Sequence, residues 1–360
     1  MGNETSLKKI NIAIIFGGQS SEHDISCISA INVIRNINKL KYNIFLVGIT
    51  QEGRWLFCDS LEDVISGDWR NSDVRVIFSP DRVTHGLYMV KEDMIQEIYI
   101  DVVFPVLHGI CGEDGTIQGL CELANINYVG CGVLASALGM DKVYTKRIVS
   151  ELNIKQAEYV LVRQNELENI SLLVSKIESK NEYPMFIKPS RSGSSQGVYK
   201  VYNQKELIDA IINSLKFDSK ILVEEYIKGR EIECAVLQTK EGIRMKIGEV
   251  VSNADFYSYD SKYKDGSTII RYPGDLSDIV IGKIYYMASQ IFEVLECTGL
   301  SRIDFFLTSN EDIYFNEINT MPGFTNASMF PVLWGKEGLG MSELIDELIY
   351  SALKHNVFCS

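Results

Sequence analysis

The apolar residues of this chain fall in short runs that close on glycine, serine or an acid. Residues 11–16, NIAIIF, form an uninterrupted, mostly β-branched run, as expected of a strand buried on both faces. The run stops at Gly17-Gly18, and QSSEHDISCISAINVI follows, where Ser20 or Ser21 is placed to cap a helix with Glu22 and Asp24 in its first turn. Residues 42–49 and 101–107 repeat the strand pattern, so the first third reads as βα units of a doubly wound parallel sheet. The complete G-x-G-x-x-G of a dinucleotide fingerprint is absent. Residues 58–100 are mixed and predict a small strand and helix insertion. Residues 128–132 predict a short strand and turn, and a helix follows through Met140-Asp141-Lys142-Val143-Tyr144-Thr145-Lys146-Arg147.

Beyond this point the pattern is α+β. A strand near 158–162 lies within a charged, helix-like stretch at 151–182. Strands are expected at 184–190, 198–201, 220–226, 231–237 and 244–251, and helices at 278–296 and 341–354. Residues 255–273 form a long aromatic and polar segment with Tyr257, Tyr259, Lys262 and Tyr263, the length and composition of a lid.

The stretch 302–328, RIDFFLTSNEDIYFNEINTMPGFTNAS, predicts a hairpin around Ser309-Asn310-Glu311-Asp312. With the turn centred between Asn310 and Glu311, Asp304 opposes Glu317 and Arg302 opposes Asn319. Side chains alternate across a strand, so these four share one face, and Ile303, Phe305 and Ile318 take the other. Two carboxylates and an amide oxygen suit a hard cation such as Mg²⁺, and the arginine suits phosphate. A solvated face with ordinary ion pairs has the same composition.

The net charge of −13 over 360 residues argues against nucleic acid as a partner and requires a local basic site for any anionic substrate. No apolar run approaches the ~18–20 residues of a membrane span, and the first ten residues lack the apolar core of a secretory signal. The eight cysteines are scattered without a C-x-x-C pair, so reduced thiols of a cytoplasmic protein are expected, not a zinc site or a disulfide framework.

Three further stretches carry candidate chemistry. His108-Gly109-Ile110-Cys111-Gly112-Glu113-Asp114-Gly115 follows a buried strand, where parallel sheets build their sites, and Glu113 and Asp114 can also cap the next helix. Lys142 and Lys146 stand one helical turn apart, a spacing that a solvated helix face explains equally well. Between two strands, the second of them VYKV, lies Arg191-Ser192-Gly193-Ser194-Ser195-Gln196-Gly197, a glycine–serine hairpin whose N–H groups and hydroxyls can close over phosphates, although the P-loop spacing is missing.

Together IFGGQSSEHDIS, LHGICGEDGTIQGLCEL, MDKVYTK, KPSRSGSSQGV, VEEYIKGREIE, FYSYDSKYKDG, SRIDFF and NEINTMPGFTNAS, in that order over nearly the whole length, resemble the D-alanine–D-alanine ligase family of ATP-grasp enzymes. The resemblance implies an α/β ATP-grasp fold: an N-terminal substrate-binding domain over 1–137 with a doubly wound parallel sheet, and two α+β lobes, 138–226 and 227–360, that sandwich ATP. It implies that Lys142 and Lys188 hold the ATP phosphates under the loop of Ser194 and Ser195. Glu224, Glu225, Tyr226 and Ile227 would meet adenine, and Glu231 the ribose. Asp304, Glu317 and Asn319 would bind two Mg²⁺ (or Mn²⁺), with Asn316 beside the nucleotide and Arg302 and Lys262 on the transferred phosphoryl group. Glu22, supported by Ser194 and Tyr263, would hold the first D-alanine near His108. Ser328 would take the carboxylate of the second amino acid, Arg302 and the Gly323 N–H the oxyanion, and Met329 would bear on specificity. A homodimer joined through the first domain is implied. FSPDRVTHGLYMV and VGCG look like the vancomycin-resistance ligases, which leaves D-serine as the alternative second substrate. The pair Lys262-Tyr263 and Met329 after Ser328 look like ordinary D-alanine–D-alanine ligases and favour D-alanine.

Overall fold

The structure is a computed structural model and describes residues 8–251 and 269–354. In chain order its elements are β1 (Ile10–Gly17), α1 (His23–Asn36), β2 (Tyr42–Ile49), β3 (Trp55–Cys58), α2 (Leu61–Ser66), β4 (Arg75–Phe78), β5 (Gly86–Lys91), β6 (Met94–Tyr99), β7 (Val102–Leu107), α3 (Thr116–Ala124), β8 (Asn127–Tyr128), α4 (Val133–Met140) and α5 (Lys142–Ser150). There follow β9 (Tyr159–Arg163), α6 (Ile170–Glu178), β10 (Met185–Pro189), β11 (Tyr199–Val201), α7 (Gln204–Ser214), β12 (Lys220–Glu225), β13 (Arg230–Thr239), β14 (Gly242–Val251), β15 (Ile269–Arg271), α8 (Asp278–Val294), β16 (Leu300–Leu307), β17 (Ile313–Asn319), α9 (Met329–Lys336) and α10 (Met341–Lys354).

The first sheet runs β6-β5-β4-β3-β2-β1-β7-β8. Strands β2, β1, β7 and β8 pair in parallel, and Ile12, Ala13, Ile14 and Ile15 of β1 are fully buried, as an unbroken apolar strand with both faces covered requires. Burying each such isoleucine stabilises the fold by roughly 1.5–3 kcal/mol. The mixed stretch 58–100 holds short strands and the helix α2, as expected, and its strands belong to the first sheet. Strands β3 to β6 extend the same sheet as an antiparallel meander, because β2 would otherwise present an open edge. Within it Trp69 lies over Gly48, where a Cβ would come 2.3 Å from the indole, and Phe16 meets that ring edge-on at 5.1 Å.

The second sheet, β11-β10-β12-β9, is antiparallel and has a core of its own under α6 and α7, including Leu173, Ile187, Leu207 and Val223. The third, β15-β14-β13-β16-β17, is also antiparallel. Its inner face joins the first sheet's core: Ala235, Leu237, Phe330 and Trp334 cluster with Ile12, Phe16 and Ala30. The second sheet is thus the one that packs as a lobe apart, and a cavity lies between it and the third.

Neither Ser20 nor Ser21 caps α1. Glu22 takes the N-cap position without a side-chain cap bond. The Ser20 hydroxyl instead accepts from the Glu22 N–H at 3.2 Å and donates to the His108 carbonyl at 2.6 Å, which ties the start of α1 to the end of β7. Asp114 does serve the start of α3, accepting from the Thr116 N–H at 3.0 Å, whereas Glu113 accepts from Gly109 N–H at 2.9 Å within the loop.

Candidate active site

The hairpin of β16 and β17 opposes Asp304 to Glu317 and Arg302 to Asn319, as the alternation predicts, for a reason the alternation does not contain. Near the tip Leu307 pairs with Ile313 and Phe305 with Phe315, so the turn is one residue shorter than a centre between Asn310 and Glu311 requires. A bulge at Asn316 restores the register at the site. It also turns Asn316 towards the same cavity as Glu317. Ile303, Phe305 and Ile318 are buried on the opposite face.

On the polar face Arg302 grips Asp304 with Nε at 2.9 Å and Nη2 at 2.8 Å, and its Nε lies 3.0 Å from Glu233. Asn319 Nδ2 donates to Asp304 at 3.2 Å. Burial disfavours the Arg302 charge, but Asp304 and Glu233 outweigh it and raise its pKa well above the usual value. The carboxylates are therefore engaged by cations of the protein, and among the described residues no three His, Cys, Asp or Glu side chains form a ready metal cage.

Facing this hairpin across the cavity is a basic cluster on β10, β12 and α5. Lys142 donates to the Ser192 carbonyl at 2.9 Å and pairs with Glu317 at 3.1 Å, so it spans both walls. Lys188 pairs with Glu224 at 2.7 Å and donates to Asn316 Oδ1 at 3.1 Å. Lys146 is not on a solvated face: it is 2 % exposed and pairs with the other Glu224 oxygen at 2.9 Å. Burial opposes ionisation of Glu224, yet the two ammonium groups win and hold its carboxyl at about 2. Burial likewise works against the Lys188 charge, which Glu224 first, then Glu317 and Glu231, more than restore.

The start of α5 is fixed by Asp141, which caps Tyr144 N–H at 3.4 Å, accepts from Ser190 Oγ at 2.7 Å and pairs with buried Lys220. Lys142 and Lys146 are thereby registered against the sheet that carries Lys188 and Glu224. The cavity measures about 330 Å³. Lys142, Lys188, Ser194, Ser195, Glu224, Glu225, Tyr226 and Ile227 line one side, and Glu231, Glu233, Asp304, Asn316 and Glu317 the other. Of these, Glu225 also accepts from the Glu158 N–H at 2.9 Å at the strand edge.

Glu22 lies next to the cavity, against the lining residues Gly193 and Ser194. Ser194 Oγ donates to its carboxylate. A Cβ at Gly109 or Gly193 would come 2.8 or 2.9 Å from that carboxylate, which explains glycine at both approaches. Ser194 and Ser195 stand at φ 49° and 58°, the left-handed region, so this turn is held in an uncommon backbone shape beside Glu22. His108 is buried, with Nε2 3.2 Å from Ser29 Oγ and Nδ1 4.0 Å from Glu113. Burial pushes its pKa down, but Glu113 and then Glu22 raise it above the ordinary value. Ser29 also accepts from Phe324 N–H at 3.4 Å, and Asn32 donates to the Phe324 carbonyl at 2.7 Å, so α1 docks the 323–328 loop beside His108.

In that loop Ser328 Oγ accepts from the Thr325 N–H at 3.0 Å, and a Cβ at Gly323 would come 2.8 Å from it. Met329 is buried at 4 % exposure, its sulfur against Gly248. Lys262, Tyr263 and most of the 255–273 segment lie outside the described residues. Glu233 and Ser29 are the site residues not anticipated; the sequence points to Lys146 and Glu113, but with a solvated helix face and a helix cap as equal readings. Glu233 had a signal, since REIEC alternates it with Glu231 on β13 and β13 pairs with β16, setting Glu233 opposite Asp304. Lys146 had none beyond its spacing from Lys142.

Residues 11–131 match the family model described as the D-ala D-ala ligase N-terminus, and residues 148–350 the one described as the D-ala D-ala ligase C-terminus. A D-alanine–D-alanine ligase of Acetivibrio thermocellus is 44% identical, with 96% of each chain covered. Another, of Ruminiclostridium cellulolyticum, is 45% identical, covering 97% of this chain and 96% of its own. Among solved structures, the VanG D-Ala:D-Ser ligase from Enterococcus faecalis superposes with a TM-score of 0.86 at 37% identity, covering 96% of this chain and 100% of that one. The D-alanine–D-alanine ligase from Coxiella burnetii gives a TM-score of 0.81 at 32% identity, covering 98% and 96%. With both family models matched in order and relatives aligned over nearly the whole chain, this protein belongs to the D-alanine–D-alanine ligase family.

Proposed function

We propose that the protein joins two D-alanines into D-alanyl-D-alanine at the expense of ATP, through an acyl phosphate, for peptidoglycan precursor synthesis. The observation that carries this is Lys142: one ammonium reaches from the glycine–serine loop to Glu317, so a basic wall and an acidic wall share one cavity. Phosphates belong between such walls. Asp304, Glu317 and Asn319 present hard oxygen donors on one face of a rigid hairpin, a set that fits Mg²⁺ or Mn²⁺ once Arg302 and Lys142 shift to the phosphates. Two such ions would supply neutralising charge for the ATP phosphates.

On this reading the Glu22 carboxylate, set by Ser194, holds the ammonium of the first D-alanine. The carboxylate oxygen of that D-alanine attacks the γ-phosphorus, the bond from phosphorus to the β,γ-bridging oxygen breaks, and ADP departs, leaving D-alanyl phosphate. Lys142, Lys188 and Arg302 supply positive charge where negative charge collects. The second amino acid, as the free amine, attacks the acyl carbonyl. Arg302 and the Gly323 N–H steady the oxyanion, inorganic phosphate leaves with the C–O electron pair, and the amine loses its proton. No cysteine takes part. Glu224 to Ile227 meet the base and Glu231 the ribose.

The division into 1–137, 138–226 and 227–360, the homodimer and the cytoplasmic setting are parts of the same reading. No helix among the described residues is long and apolar enough to cross a membrane. Purified protein with ATP and Mg²⁺ is expected to release phosphate only when D-alanine is added. Release that ignores D-alanine, or none at all, overturns the proposal. With D-alanine and D-serine in competition, the curated relatives support D-alanyl-D-alanine as the product; a D-alanyl-D-serine product would replace it.

A further inference from the structure

The proposed function uses Lys142 and leaves its partner one turn along, Lys146, without a task. Lys146 does not line the cavity but sits behind residues that do, Glu224 and Ala157. Its ammonium lies 2.9 Å from Glu224 Oε1, donates to the Ala157 carbonyl at 3.3 Å and stands 5.5 Å over the Tyr159 ring, all in a buried setting. Lys188 holds the other Glu224 oxygen, but it also reaches Asn316 and lines the cavity. Of these two ammonium groups, Lys188 is the one an incoming phosphate can recruit, and Lys146 is the one that stays with Glu224.

We propose that Lys146 is a specificity-determining positioning residue. It keeps the Glu224 carboxylate an acceptor when Lys188 turns to the nucleotide phosphates, so that the site takes a 6-aminopurine nucleotide and rejects a 6-oxopurine one. The inference rests on Glu224 meeting the base. A 6-amino group donates a hydrogen bond, a 6-oxo group only accepts, and a carboxylate has no proton to offer it. A buried carboxylate without its cation takes up a proton, and its O–H can then donate to the 6-oxo group.

The test is calorimetric binding of ATP and of ITP, each with Mg²⁺, to the full chain without amino acid. The wild type is expected to prefer ATP, Lys146→Arg to keep that preference, and Lys146→Met to narrow it by roughly tenfold or more. An unchanged preference in Lys146→Met overturns the proposal. Should thermal melting show Lys146→Met unfolded, the double variant Lys146→Met/Glu224→Gln removes both charges. It is expected to match Glu224→Gln alone in its ATP-to-ITP ratio, because Lys146 acts only through Glu224. A further change on adding Lys146→Met overturns the proposal. Since binding is read without turnover, loss of D-alanine-dependent phosphate release with selectivity intact would refute the ligase reading and leave this one standing.

Discussion

The two walls of the cavity solve the same problem with opposite charge. On the β13–β16–β17 wall Arg302 stands among Glu233, Asp304 and Glu317; on the α5–β10–β12 wall Glu224 stands among Lys142, Lys146 and Lys188. Each minority charge satisfies part of the majority in the protein alone. Buried ions of one sign are costly, so each wall carries a counterion that a ligand can displace. Among these residues the acidic wall has more carboxylates than cations, and the basic wall more ammonium groups than carboxylates. A nucleotide with its metals supplies cations to the one and anions to the other, which is why the walls face each other and why Lys142 can bridge them.

The difference between the walls can be broken experimentally. The largest expected effect is on the acidic wall. Asp304→Asn keeps the shape and hydrogen-bonding reach of the side chain but removes the charge that a metal and Arg302 share. Turnover is expected to fall by roughly 10²-fold or more with melting temperature and circular dichroism nearly unchanged. Near-normal turnover, measured by phosphate release, would deny Asp304 its metal role.

A smaller effect is expected from acid on the basic wall. The Glu224 pKa is held at about 2, below its unfolded value of 4.5, so its pairing contributes stability above pH 4.5 and loses it as pH falls from 4.5 towards 2. Glu224→Gln lacks this contribution and is expected to melt below the wild type at pH 7. The gap in melting temperature should close between pH 4.5 and 2. A gap that stays constant over that window would mean that the lysines do not stabilise the charged form.

The smallest effect is at the tip of the acidic hairpin, where exposed Lys155 pairs with Asp312 at 2.6 Å. Solvent screens such a pair, and Lys155→Ala is expected to leave both melting temperature and turnover within experimental error. A clear loss of turnover would show that the tip helps to set the register of Asp304 and Glu317.

Much of the acidic wall is legible in the chain because its polarity is local. Within eighteen residues, period-two alternation separates Arg302, Asp304, Glu317 and Asn319 from Ile303, Phe305 and Ile318. The same reading misplaces the turn and overlooks the bulge at Asn316. Two one-residue errors cancel, since backbone hydrogen bonding sets a bulge and side-chain alternation does not report it. The motif resemblance carries Lys142, Lys188 and Glu224, and all three line one cavity. It gives no hint that Lys146 is buried. Spacing along a helix says which residues share a face; whether that face meets water or a carboxylate depends on what packs there.

By itself, then, the chain determined the strand and helix periods, the parallel start, the chemistry available at each strand end and the family. Each of these depends on residue type and on neighbours a few positions away. Tertiary structure alone decided that the 58–100 stretch joins the first sheet, that Ser20 serves His108 rather than a helix cap, and that Met329 is buried against Gly248. It also decided that Glu224 lies between Lys146 and Lys188 and that Arg302 grips Asp304. Those outcomes turn on contacts between residues tens to hundreds of positions apart, where burial and the nearest opposite charge, not local pattern, set the free energy. The hairpin face began as equally an ion-pair surface or a cation site. In three dimensions that face is an ion-pair network, with Arg302 on Asp304 and Glu233 and with Lys142 reaching Glu317 from the basic wall opposite.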